Sequence, residues 1–196
     1  MRRLVPALFK LGMVVSILED RKLQTSRLND SWGKLKPGDL IWGRENFSEL
    51  GEYGFIGGWN RKPGSRVYYK TETPPFATEK YIWRNKPCIF LRKSDCRILL
   101  EVTSVEKRKL NSITDQECID EGINPIILDG ETYWENYNRP GGVFISPCES
   151  FISLWNSING QKEGCSWTDY PEVWMVKFKV LSKALEETQR LIKELV

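Results

Sequence analysis

The 196-residue chain contains no histidine, no Cys-x-x-Cys pair and no apolar run approaching the roughly 20 residues that span a bilayer. The lack of histidine excludes every Ser-His or Cys-His catalytic pair. It also leaves a zinc site dependent on four of five scattered cysteines or on carboxylates, which is unfavourable. We therefore expect free thiols, no metal site and no cofactor.

The N-terminal stretch MRRLVPALFKLGMVVSIL resembles a signal peptide in outline, with two arginines before an apolar run. Lys10 interrupts that run and no small-x-small cleavage site follows it. Free thiols are typical of a reducing compartment. These features predict a cytoplasmic protein that does not associate with membranes.

Hydrophobic residues make up 40% of the chain and charged residues 28%, which is typical of one globular domain spanning 1–196. The net charge is only +3, but residues 61–97 hold ten Lys or Arg against three acidic residues. Residues 98–196 hold ten basic and sixteen acidic residues. Such polarity favours an anionic partner such as nucleic acid, and it is equally compatible with an ordinary solvated surface.

Periodicity and capping signals predict three or four helices. One runs from about Met13 to Asp20, and one follows the capping box Thr114-x-x-Glu117 and ends at Gly122. A third spans about 146–158, and the tail from about 183 is amphipathic. The tail helix suits docking on its own domain, with self-association as the alternative, so we expect a monomer or a weak homodimer.

Strands are predicted where β-formers follow turn signals or alternate in burial preference, in KPGDLIWG (36–43), SRVYYK (65–70), CRILLEVTSVEKRKL (96–110) and PEVWMVKFKVL (171–181). The Gly-rich stretch 51–64 and the segment PIILDGETYWENYNRPGGVFISP are typical of loops. Strands and helices without strict alternation predict an α+β fold. Short strands between long loops indicate a small β-barrel or a strongly curved sheet.

Six segments in the same order resemble the ASCH domain family of the PUA-like superfamily, in its longer, phage-associated branch. The segments are SILEDRKLQTSR, KPGDLIWGRENF, WRNKPCIFLRKSDCRILLEVTSV, LNSITDQECIDEGI, FISLWNSING and YPEVWMVKFKVL. The resemblance covers about residues 8–181 and leaves 182–196 as an extra C-terminal helix. It implies a PUA-like β-barrel of about five to six strands with flanking helices and a cleft that binds nucleic acid or a nucleoside.

The family resemblance implies more than one function. Members are proposed RNA-binding modules, some are ribonucleases, and a short member hydrolyses the acetyl group of N4-acetylcytidine. The amidohydrolase members use a Lys-x-x-Thr pair after the first helix and a later glutamate. Carried onto this sequence, these catalytic residues are Lys22, Thr25 and Glu121.

A lysine base faces a physical obstacle in this arrangement. An unperturbed lysine has a pKa of about 10.4, so that pKa must fall to about 7 before the amine accepts a proton efficiently. Burial or the neighbouring Arg21 and Arg27 would lower it, whereas Glu121 would raise it. The same stretch, Lys22 to Arg27, is also compatible with a plain polar helix exit.

Candidate ligand-binding residues are those that match the basic and polar positions of the family motifs. They are Arg21, Arg27, Arg44, Glu45, Trp59, Lys86, Arg92 and Lys93. The cations suit phosphate contacts, and Trp59, with Tyr53 and Phe55, suits base stacking. The sequence departs from the family pattern at Leu23, where threonine is usual, and at Phe90, where the family carries histidine.

These observations predict a nucleic-acid-binding module, with RNA or a modified nucleotide as its partner. The alternative is an enzyme, either an amidohydrolase acting on an acylated nucleoside through Lys22, Thr25 and Glu121, or a ribonuclease. The sequence leaves open whether the protein is an enzyme.

Overall fold

A computed structural model describes residues 2–53, 58–74 and 80–196. The helices are α1 (Leu11–Leu18), α2 (Asp115–Asp120), α3 (Pro147–Asn159) and α4 (Leu185–Leu195). The strands are β1 (Leu4–Leu8), β2 (Gln24–Arg27), β3 (Leu40–Arg44), β4 (Phe47–Tyr53), β5 (Trp59–Arg61), β6 (Tyr68–Tyr69), β7 (Ile82–Lys86), β8 (Ile98–Lys109), β9 (Pro125–Leu128), β10 (Glu131–Glu135), β11 (Val143–Phe144) and β12 (Glu172–Ser182). The mixed α+β class predicted from the sequence is confirmed.

The main sheet has five strands in the order β1-β3-β8-β12-β2. β1 runs parallel to β3, and the other neighbours are antiparallel. Strand β12 places Val173 and Met175 on the side of α2 and α3, whereas Val176 and Phe178 face the core beside α1. This alternation follows from the two-residue period of a strand, and it gives the sheet a packed core on each face.

The edge strands β1 and β2 are not joined by a backbone ladder in the described part of the chain, so the sheet does not close into a barrel. Instead, a side-chain hydrogen bond links the two strands, in which Nη2 of Arg27 donates to the carbonyl oxygen of Leu8 at 3.2 Å. The prediction of a small barrel of five to six strands is therefore corrected. The described residues form an open five-stranded sheet and two smaller sheets, with twelve strands in all.

Helix ends follow the predicted capping chemistry. Thr114 caps α2 by accepting from the amide of Glu117 at 3.3 Å, and the carboxylate of Glu117 accepts from the amide of Thr114 at 3.1 Å. Gly122 follows α2 with a φ of +83°, a conformation that glycine adopts without a steric penalty. Ser146 caps α3 through the amide of Glu149. These caps fix where α2 ends, and Glu121 lies at that end.

The segment predicted as a loop after α2 instead contains the three-stranded sheet β9-β10-β11. β9 and β10 form a hairpin whose turn residues, Asp129 and Gly130, both have positive φ values, +50° and +85°. Asp-Gly is the dipeptide that such tight hairpin turns favour, so the signal was present in the sequence. The loop prediction for this segment was wrong because it did not take Asp129-Gly130 as the turn of a hairpin.

Strand β4 is the centre of the second small sheet and pairs with β5, β6 and β7. Its buried cluster consists of Phe47, Val67, Tyr69 and Leu91. Of the cations predicted to contact phosphates, Lys86 is the last residue of β7, and Arg92 and Lys93 lie in the segment that follows it. Phe55, one of the predicted stacking residues, lies outside the described residues.

Helix α4 packs on the main sheet, against residues of β3 and β8. Ile192 joins a buried cluster with Leu40 and Leu99, and Thr188 donates from Oγ1 to the carbonyl of Arg97 at 2.6 Å. Its apolar face is thus covered by its own chain, and self-association through this helix stays a prediction. No helix in ranges 2–53, 58–74 and 80–196 is long and apolar enough to cross a bilayer.

Candidate functional site

The segment from Arg21 to Arg27 lies against the C-terminal end of α2. α1 stops at Leu18, and Asp20 takes a positive φ of 58°, which turns the chain back. The amide of Leu23 then donates to the carbonyl of Asp120 at 2.8 Å, and β2 continues as the edge strand beside β12. These contacts bring a polar stretch of β2 next to Glu121, about a hundred residues later in the chain.

Lys22 and Glu121 form a buried ion pair. Neither side chain is more than 4% exposed, and Lys22 donates from Nζ to Oε2 of Glu121 at 2.9 Å and to its backbone carbonyl at 2.6 Å. The second contact satisfies a carbonyl at the end of α2, where a positive charge is also favoured by the helix dipole. Lys22 therefore caps the C-terminal end of α2 and also neutralises the Glu121 carboxylate.

Ser26 supplies the third member of this cluster, which the sequence analysis missed. Its Oγ donates to Oε1 of Glu121 at 2.5 Å, so both carboxylate oxygens accept hydrogen bonds. Ser26 stands in register with Met175, whereas Thr25 stands in register with Val176 on the opposite face of β2. The alternation of a strand thus gives Glu121 the hydroxyl of Ser26 rather than that of Thr25.

The surroundings of the two cationic side chains at this site, Lys22 and Arg27, shift their pKa values. Burial lowers the pKa of the Lys22 ammonium, while the charge and hydrogen bond of Glu121 oppose that fall. Burial also lowers the pKa of Arg27, whose guanidinium carbon lies 5.5 Å from the ring of Phe9 and 5.1 Å from the ring of Trp32. Nε of Arg27 is buried without a hydrogen-bond partner.

A cavity of about 260 Å³ opens beside β2. Three of the sequence-predicted residues line it, namely Thr25, Arg27 and Glu121. Its other walls combine aromatic, amide, cationic and apolar side chains, from Met13, Ser26, Leu28, Asn29, Trp32, Phe151, Leu154, Trp155, Ile158, Asn159 and Lys162. Lys22 does not line the cavity. It lies behind Glu121, which lines the cavity and to which Lys22 is hydrogen-bonded.

The α3 residues of the cavity could not be predicted as site residues from the sequence. Phe151, Leu154 and Trp155 belong to a buried apolar cluster, and their pattern is that of a helix packing face. Asn159 and Lys162 lie where α3 ends, and only the approach of α3 to β2 places them at the cavity.

Two predicted ligand-binding residues, Arg21 and Arg44, are engaged elsewhere. Arg21 donates to the carboxylate of Glu19 at 2.6 and 2.8 Å and to the carbonyl of Ile123 at 3.1 Å. The guanidinium of Arg44 lies 4.5 Å from the ring of Trp42. Neither of these side chains lines the cavity.

Glu45 is buried in an ion pair. Both of its carboxylate oxygens accept from Arg97, at 2.9 and 2.8 Å, and burial raises its pKa against the lowering effect of that partner. Arg97 also donates to Thr71 at 2.6 Å and lies over the ring of Tyr69 at 4.0 Å. The structure thus brings Glu45 together with Arg97 rather than with the cavity.

The remaining predicted residues lie on or beside the second small sheet. Arg92 and Trp59 line a shallow pocket of about 400 Å³, and Arg92 and Lys93 are exposed. Lys86 pairs with Glu49 at 3.1 Å. Arg84 lies over Trp59 at 5.4 Å and over the exposed Tyr53 at 5.9 Å. This basic and aromatic surface is separate from the cavity lining. Within the described ranges, no group of three His, Cys, Asp or Glu side chains is placed to hold a metal ion.

No protein-family model and no curated protein matches the chain. A solved structure that does match is the high-resolution crystal structure of an ASCH domain from Lactobacillus crispatus JV V101. The chain is similar to an ASCH domain. The two are 13% identical, the match covers 92% of this chain and 80% of that chain, and the TM-score is 0.44. That protein belongs to the family which the six sequence segments resemble, and at this similarity the match assigns no role to any side chain.

Proposed function

We propose that the chain binds single-stranded RNA and holds one unstacked base, or a free nucleoside, in the cavity beside β2. The observation that carries this proposal is the composition of the cavity wall. Indole and phenyl rings from Trp32, Phe151 and Trp155 meet amides from Asn29 and Asn159. Flat apolar surfaces with a few polar groups at the edge are what a base requires, since its faces stack and its edges hydrogen-bond.

The size of the cavity supports a single base rather than several. Pockets for small ligands begin at roughly 300 Å³, and this cavity measures about 260 Å³. A longer strand would therefore have to run over the surface. Arg27 and Lys162 are suited to phosphate contacts, because both are cations at the cavity wall and Lys162 is exposed.

A fluorescence-anisotropy titration with a labelled single-stranded RNA, repeated in increasing salt, tests binding. We expect affinity to fall with ionic strength, because each phosphate contact releases counterions. Changing both Arg92 and Lys93 to Ala should flatten the salt slope, whereas changing Lys193, an exposed lysine on α4, to Ala should not. Affinity that ignores salt would contradict the proposal.

Competition by free nucleosides tests the cavity itself. A nucleoside that occupies the cavity should displace the RNA and quench tryptophan fluorescence from Trp32 and Trp155. Lys162→Ala should weaken RNA binding several-fold, while Lys193→Ala again serves as the matched control. RNA binding that no nucleoside displaces would confine the function to the basic surface and remove the cavity from it.

The buried pair of Lys22 and Glu121 favours a second candidate, an amidohydrolase acting on an acylated nucleoside such as N4-acetylcytidine. Burial lowers the pKa of Lys22, as a general base requires, and Thr25 lines the same cavity as Glu121. The hydroxyl of Thr25 would attack the acyl carbon, the amine would leave with a proton, and water would release the acyl group. Three features oppose this role. Lys22 already donates two hydrogen bonds to Glu121, Lys22 does not line the cavity, and Thr25 lies on the opposite face of β2 from the Ser26 hydroxyl that contacts Glu121.

Incubation with N4-acetylcytidine distinguishes these roles. Turnover by the wild type that Thr25→Val abolishes and Thr25→Ser preserves would support Thr25 as the nucleophile. Turnover that only Ser26→Ala abolishes would transfer that role to Ser26. Equal turnover in all variants would exclude both hydroxyls.

A further inference from the structure

Cys118 and Cys148 are neighbours in space. Cys118 lies on α2, Cys148 is the second residue of α3, and their Sγ atoms are 3.0 Å apart. A disulfide requires about 2.05 Å between the sulfur atoms, so the two need to approach by only about 1 Å. Among the described residues, Cys88, Cys96 and Cys165 make no sulfur–sulfur contact.

We propose that Cys118 and Cys148 form a reversible disulfide by exchange with a low-molecular-weight disulfide. The bond would join the two helices that carry the walls of the cavity, since Glu121 follows α2 and the rings of Phe151 and Trp155 project from α3. This inference rests on the two thiols alone and does not depend on RNA binding.

The difference in exposure between the two thiols sets the order of the reaction. Cys148 is half-buried, whereas Cys118 is fully buried, so the small disulfide reaches Cys148 first. The thiolate of Cys148 attacks one sulfur of the reagent, and the reagent's S–S bond breaks to release one thiol. Cys118 then attacks the sulfur of Cys148 and releases the second thiol. Two electrons pass from the cysteines to the reagent, and the two cysteine protons end on the two thiols.

The surroundings of the pair make this exchange slow at neutral pH. Burial raises the pKa of both thiols. For Cys118, the neighbouring Cys148 and then Glu121 and Asp115 add to that effect, whereas for Cys148 the hydrogen bond with Cys118 opposes it and Asp115 adds to it. Because the thiolate is the attacking species, the rate should rise about tenfold for each pH unit below the pKa of Cys148. An acceleration that continues above pH ~8.5, where an ordinary surface thiol is already ionised, distinguishes this pair from a surface thiol.

Incubation of the full chain with oxidised glutathione, followed by thiol titration in denaturant, tests the proposal. We expect free thiols to fall from five to three, and peptide mapping without reductant to recover Cys118 joined to Cys148. The oxidised form should unfold at a temperature roughly 5 to 10 °C higher, because the bridge closes a loop across 30 residues. Dithiothreitol should reverse both changes.

Matched variants separate this pair from the other cysteines. Cys148→Ser and Cys118→Ala should each abolish the loss of two thiols, whereas Cys88→Ser and Cys165→Ser should leave it intact. Glutathione that stays attached to Cys148 in the wild type, or a bridge that includes Cys88 or Cys165, would overturn the proposal. The wild-type measurement stands by itself if Cys118→Ala fails to fold.

Discussion

The ammonium of Lys22 lies 2.9 Å from Oε2 of Glu121, 99 residues later in the chain, and solvent reaches at most 4% of either side chain. Removing one partner of such a pair leaves the other charge buried and unpaired, which lowers the free energy of unfolding by about 3–5 kcal/mol. We expect Lys22→Met to lower the free energy of unfolding by that amount in urea titrations.

An exposed ion pair on the main sheet provides the control for this prediction. Lys107 lies 3.1 Å from Glu172, and both side chains are largely exposed. Lys107→Met should cost less than about 1 kcal/mol. A Lys22→Met variant as stable as Lys107→Met would show that Glu121 finds another partner or takes up a proton.

Gly122 allows the end of α2 to approach Lys22. A Cβ at this position would lie 2.7 Å from Cβ of Lys22 and 2.8 Å from Cβ of Ser16, and the φ of +83° adds strain. Gly130 has a similar φ of +85°, but open space surrounds its missing Cβ. Gly130→Ala should cost about 1–2 kcal/mol from backbone strain, and Gly122→Ala should cost at least about 1 kcal/mol more from the clash. Equal losses of stability for the two variants in thermal unfolding would mean that the segment around Lys22 moves to make room for the added Cβ.

Arg97 links Glu45, Thr71 and Tyr69 in a buried network. Arg97→Met leaves the Glu45 carboxylate without a cation and should destabilise the chain by about 3–5 kcal/mol. Arg190→Met removes an exposed cation that pairs with Glu194 on α4 and should cost no more than about 0.5 kcal/mol. If Arg97→Met matched Arg190→Met in urea, the network would add nothing to stability.

Cys96 makes stability depend on pH in the alkaline range. Burial raises the pKa of its thiol to about 12, whereas the thiol of an unfolded chain has a pKa of about 8.5. Between these values the unfolded chain has lost the proton and the folded chain retains it, so stability falls as the pH rises. One such group contributes a slope of about 1.4 kcal/mol per pH unit. Stability of Cys96→Ala, measured from pH 8 to 11, should decline less steeply than that of the wild type, and parallel curves would refute the assignment.

Local signals in the sequence predicted much of the secondary structure. The capping box at Thr114 and the glycine at 122 define α2, and alternation identifies β8 and β12. These features depend on hydrogen bonds and steric limits within a few residues, which a single stretch of sequence contains. The hairpin at Asp129-Gly130 was also locally encoded but was missed.

The sequence by itself determined the helix caps, the alternating strands and the grouping of basic residues between 61 and 97. Only the tertiary structure decided that Ser26 holds Glu121, that Arg97 holds Glu45, and that Cys118 meets Cys148. Pairing β2 with β12 sets which hydroxyl faces α2, because a shift of one residue turns each side chain to the opposite face. Such contacts join residues 30 to 95 positions apart, and their partners are set by the packing of whole elements rather than by local preference.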